Sequence, residues 1–135
     1  MEEGGSAGPP GRYPTLPARW AAILAFAAGF GGWIVVSNIS HRREAWDSGL
    51  YWSGFIPLLF LLSAILGFLS PRRSWHWGLW MAGGQLTIMF LLDPSGSLLP
   101  LGVILFGVLG GVIGGPGLIA AQFRRRREMP LPPFP

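Results

Sequence analysis

The chain has 135 residues, half of them apolar, only 12% charged, with a formal net charge of +4. Soluble proteins carry about 25% charged residues, so the composition points to a membrane protein, and the length suits one domain. Cysteine is absent, which excludes disulfides, thiolate catalysis and cysteine-ligated metals.

All ten positive charges are arginine, and eight of them sit in pairs or a run at the ends of apolar segments. Lipid headgroups explain that placement better than nucleic acid does. The lack of lysine beside abundant alanine, glycine, proline and tryptophan suggests a GC-rich bacterial genome, so the expected location is a bacterial inner (cytoplasmic) membrane.

Residues 1–18 are rich in glycine and proline without apolar periodicity, and they are expected to form a disordered tail. The first span runs from about 19 to 39, too long for the core of a signal peptide. Within it Ala21, Ala25, Ala28 and Gly32 form a smooth stripe suited to helix packing, while Phe26, Phe30 and Trp33 form an aromatic stripe roughly opposite, facing lipid or another protein. The loop at 40–49 is the most polar stretch between spans, with His41, Arg42, Arg43, Glu44 and Asp47. Asp47 or Ser48 is placed to cap the next helix.

The second span covers about 50–69, with Tyr51 and Trp52 at headgroup depth and Pro57 two turns inside, where it should kink the helix. A turn at 70–74 carries Arg72 and Arg73 and ends on Ser74, the expected cap of a third span over 75–92. Trp75, Trp77 and Trp80 suggest an interfacial belt, and Gly78, Ala82, Gln85 and Met89 share one face. Asp93-Pro94-Ser95-Gly96 fits a type I turn, which makes the third and fourth spans an antiparallel hairpin.

The fourth span covers 98–121. Its glycines Gly107, Gly110, Gly111, Gly114 and Gly115 recur at spacings of three and four, a small-residue face that lets another helix approach closely. Pro116 should bend this helix near its end. Residues 124–135 read as a basic tail, Arg124, Arg125, Arg126 and Arg127, followed by a proline-rich one.

The expected fold is therefore an all-α integral membrane bundle of four antiparallel transmembrane helices, with the bundle domain at 19–123. With four spans, eight arginines lie on the side of the termini and the 70–74 turn, against Arg42 and Arg43 on the other. The positive-inside rule then puts both termini in the cytoplasm.

Chemistry-bearing residues are few. His41, Glu44, Asp47 and Asp93 could gather on one membrane face as a carboxylate and imidazole cluster, although capping and ion pairing account for the same residues. Gln85 lies near mid-membrane, where a side-chain amide needs a partner and an interhelical hydrogen bond provides one. Arg72, Arg73 and Arg124 to Arg127 read as headgroup contacts or topology signals. No catalytic residues, cofactor, metal or nucleic-acid partner are expected. The lipid bilayer is the expected partner, with a second membrane protein or self-association through the small-residue faces. The favoured role is a non-catalytic accessory, assembly or scaffold subunit; the alternative is a small passive transporter or channel acting as a homo-oligomer.

Overall fold

The computed structural model describes residues 13–96 and 98–129, and the expected tails at 1–12 and 130–135 lie outside them. Four helices account for most of the described chain: α1 (Ala18–Ser40), α2 (Tyr51–Leu69), α3 (His76–Leu92) and α4 (Leu99–Glu128). There is no strand among the described residues. α1, α2 and α4 are long and apolar enough to cross a membrane. α3, with 17 residues, is shorter, about 25 Å against a hydrocarbon core of about 30 Å.

Local chemistry sets the helix ends. α1 closes on His41, whose φ of 52° is left-handed and which is the only such non-glycine among the described residues. α2 starts where the Tyr51 N–H donates to the Ser48 hydroxyl oxygen at 3.2 Å, so Ser48 rather than Asp47 is the capping side chain. The first turn of α2, Tyr51–Phe55, is wider than an α-turn, with the Ile56 N–H donating to the Tyr51 carbonyl five residues back. Pro57 explains it: its ring would press on the Ser53 carbonyl and it has no N–H to donate, so the helix opens ahead of it.

The expected cap at Ser74 is not made. α3 begins at His76 with no side-chain cap, and Ser74 is buried with its carbonyl against Gly117 of α4. The Gly96 N–H donates to the Asp93 carbonyl at 3.2 Å, closing the turn between α3 and α4. Pro100 sits in the first turn of α4, where a missing donor costs little. α4 continues through Pro116 to Glu128, so Arg124 to Arg127 belong to the helix and not to a tail.

The helices pack α1 on α3, α3 on α4, and α4 on α2, with only sparse contact between α1 and α2. Each of the three main interfaces is built on glycines from both partners. At α1 and α3, a Cβ on Gly29 would overlap the Met81 carbonyl and one on Gly84 the Phe26 carbonyl. At α3 and α4, Gly78 lies against the Gly110 carbonyl, and a Cβ on Gly114 would stand 2.6 Å from the Trp75 carbonyl oxygen. At α2 and α4, Gly67 meets Gly117. Without Cβ atoms the backbones approach closely enough for continuous dispersion contact, the main source of helix association in an apolar solvent.

Several aromatic side chains face differently from expectation. Trp33 and Trp77 are 1% and 2% exposed, and Tyr51 is fully buried, whereas Trp52, Trp75 and Trp80 are about half exposed. Trp33 therefore belongs to the core and not to a lipid-facing stripe, and Trp77 leaves the interfacial belt because its indole N–H donates inward to the Ser70 carbonyl. The buried line of α1 is Ala21, Ala25, Gly29, Trp33 and Val36. Ala28 and Gly32 turn toward α2, where Phe55 packs on Gly32.

Candidate functional site

The interior near the 40–49 loop is an aromatic cluster with one polar pair in it. Trp33 stands edge-on to Trp46, Tyr51 and Phe106 at centroid distances of 6.0, 6.0 and 5.8 Å, and Trp46 stacks on Phe106 at 5.6 Å. The wide first turn of α2 positions Tyr51 so that its hydroxyl donates to Gln85 Oε1 at 2.5 Å. Gln85 is fully buried, and its Nε2 and the Trp33 indole N–H have no partner among the described residues. The amide thus serves as an interhelical acceptor linking α2 to α3. Tyr51 was not legible as that partner, because a tyrosine at the start of a span reads equally well as a headgroup anchor.

Above this cluster the loop and the turn between α3 and α4 border a cavity of about 90 Å³ lined by Trp33, Arg43, Glu44, Met89, Leu92 and Asp93. That volume is below the roughly 300–1,000 Å³ of ordinary ligand pockets. Its charged groups are already engaged. Glu44 accepts from the Trp46 indole N–H, and Asp93 lies 3.6 Å from the Arg43 guanidinium. Asp47 pairs instead with Arg42 at 3.0 Å, and His41 ends α1. Of His41, Glu44, Asp47 and Asp93, only Glu44 and Asp93 therefore share a cavity, and among the described residues no group of three such side chains could hold a metal. A larger hollow of about 400 Å³ lies between α1 and α2, lined by apolar residues including Ala28, Gly32, Phe55 and Leu59.

The glycines of α4 divide between two faces. Gly110 and Gly114 are buried against α3, while a Cβ added at Gly107, Gly111 or Gly115 would meet nothing within 4 Å among the described residues. Those three recur every fourth residue and form an outward line beside exposed Ile104, Val108 and Val112.

At the opposite end, Arg124 is 3% exposed. Its guanidinium donates to the Phe68, Pro14 and Tyr13 carbonyls at 2.6, 3.2 and 3.3 Å and to Glu128 at 2.8 Å. Tyr13 packs edge-on to Phe68, and the Leu16 N–H donates to the Leu69 carbonyl at 3.0 Å. Residues 13–17 are thereby fastened across the end of the bundle, where composition alone predicts a disordered tail, and Arg124 is a clamp rather than a headgroup ligand. Such a buried charge persists because four of its five N–H donors meet acceptors, one of them the Glu128 carboxylate. The other arginines here, Arg72, Arg73 and Arg125 to Arg127, are exposed.

Comparison of the chain with protein-family models, with curated proteins and with solved structures gave no match.

Proposed function

We propose that the chain is a four-span membrane protein with both termini in the cytoplasm, acting without catalysis as an accessory, assembly or scaffold subunit. The observation that carries this reading is the outward line of Gly107, Gly111 and Gly115, left open after Gly110 and Gly114 are used within the bundle. Small residues at this spacing let a further helix approach the backbone of α4, and lipid gains nothing from such a groove.

The position of α3 supports its being a span as well, alongside α1, α2 and α4: it packs on both α1 and α4, so it lies at the depth they occupy. The charge distribution supports the orientation. Arg19, Arg72, Arg73 and Arg124 to Arg127 lie at one end, and Arg42 and Arg43 at the other, where Glu44, Asp47 and Asp93 offset them. The transporter alternative has less support, since Gln85, the residue it needs in a passage, is enclosed in the core and bonded to Tyr51.

Purification in mild detergent, with crosslinking through a cysteine placed at Val108, tests the role. The wild-type fold should be recovered with a partner or as an oligomer, and Gly111→Leu should give a folded monomer. A monodisperse wild-type monomer that captures nothing, or a Gly111→Leu variant that fails to fold, counts against the proposal. A dark C-terminal GFP fusion beside an active alkaline phosphatase fusion would reverse the orientation.

A further inference from the structure

We propose that the basic end of the bundle docks the headgroup of an anionic phospholipid on Arg72, Arg73 and Arg125. Arg125 Nη2 donates to the Pro71 carbonyl at 2.8 Å, which ties α4 to the turn that carries Arg72 and Arg73 immediately afterwards. That bond brings Arg125 beside the turn of Arg72 and Arg73, from which the sequence separates it by more than 50 residues. One Arg125 N–H is used in that bond, which leaves four, and the planar fork of each guanidinium suits the paired oxygens of a phosphate.

The acids at hand do not neutralise the group. Among the described residues at this end the only acid is Glu128, and it is held by Arg124 at 2.8 Å. The two arginines at the other end pair with Asp47 and Asp93 at 3.0 and 3.6 Å, so that end offers an anion little. Arg124 itself is buried and takes no part, and the Arg127 guanidinium lies 4.5 Å from the Phe123 ring centroid.

Depth favours a lipid over a nucleic acid or an acidic protein. Ile119 and Phe123, 70% and 53% exposed, lie within the last turns of α4 below Arg125. Trp75, two residues after Arg73, is half exposed, as suits an indole at the boundary between headgroups and acyl chains. The guanidinium groups therefore sit where phosphates of the adjoining leaflet lie. The inference rests on the chain residing in a bilayer and not on the scaffold role.

The test is native mass spectrometry of the full chain in detergent, titrated with phosphatidylglycerol and with phosphatidylcholine. Phosphatidylglycerol should bind more tightly. Each of Arg72→Gln, Arg73→Gln and Arg125→Gln should weaken it about fivefold, and the three together roughly a hundredfold. The single variants keep the test open should the triple variant not fold. Arg42→Gln with Arg43→Gln should change nothing. Equal binding of both lipids, a triple variant that retains the preference, or an equal loss from Arg42 and Arg43 would overturn the proposal, as would displacement of phosphatidylglycerol by a single-stranded oligonucleotide. A monomeric wild type that still prefers phosphatidylglycerol would sink the scaffold role and leave this inference standing.

Discussion

Replacing Gly114 and Gly111 separately by alanine isolates the steric basis of the α3 and α4 contact. At Gly114 the new Cβ would lie 2.6 Å from the Trp75 carbonyl oxygen and 3.4 Å from its carbonyl carbon and Cα. The obstructing atoms are backbone at the start of α3, so no side chain can swing aside, and α4 must retreat by about 1 Å to restore ordinary contact. That movement also draws Gly110 from Gly78 and Ala82, and Gly117 from Ser74. Overpacking of this kind costs about 1–3 kcal/mol. Alanine returns up to about 1 kcal/mol of helix propensity at either site. At Gly111 nothing among the described residues lies within 4 Å, so within the monomer only the propensity term acts. The difference between the two variants should therefore equal the steric term, about 1–3 kcal/mol with Gly114→Ala the less stable. Far-UV circular dichroism during titration of detergent-solubilised protein with SDS measures it. Equal midpoints, or a lower one for Gly111→Ala, would refute the argument.

Gln85→Leu leaves the buried Tyr51 hydroxyl without its acceptor and should cost about 1 kcal/mol. Adding Tyr51→Phe should recover most of that loss, and a double-mutant cycle by the same unfolding assay that gave simple additivity would contradict the pairing. Arg124→Gln strips the carbonyls of Tyr13, Pro14 and Phe68 of their donor, at about 1–3 kcal/mol for each group left buried and unpaired. Hydrogen exchange at the Leu16 amide, now bonded to the Leu69 carbonyl, should accelerate at least tenfold, whereas Arg126→Gln should leave it unchanged; the same rate in all three proteins would remove the clamp. His41→Gly relieves a left-handed backbone carrying a Cβ, and should raise stability by up to about 1 kcal/mol. A lower unfolding midpoint would show that the imidazole itself contributes.

The runs that become α1, α2 and α4 were legible because an apolar stretch of twenty or so residues stands out against any polar background. The turn at Asp93 to Gly96 was legible because aspartate, proline and glycine each have a steric reason for their place in it. Which side of each helix faces inward was far less so. In a soluble helix polarity separates the two faces, whereas lipid is as apolar as a protein core, and the pattern loses its contrast. Trp33, Trp77 and Tyr51 show the consequence: each sits at a depth where an aromatic ring can point either way, and all three point in. The same loss of contrast hid the division of the α4 glycines.

An apolar composition, the positions of the breaks and the crowding of arginine at one end are properties of the chain alone, set by covalent order and solvent preference. The pairing of helices and the fate of individual polar groups were decided by tertiary structure. Arg124 makes the point most directly. It reads as one of four equivalent basic residues, yet its acceptors at Phe68, Pro14 and Tyr13 lie 56, 110 and 111 residues away. Only when α2, α4 and the segment at 13–17 converge does a buried guanidinium become tolerable there, since its desolvation is offset by acceptors that no local pattern announces.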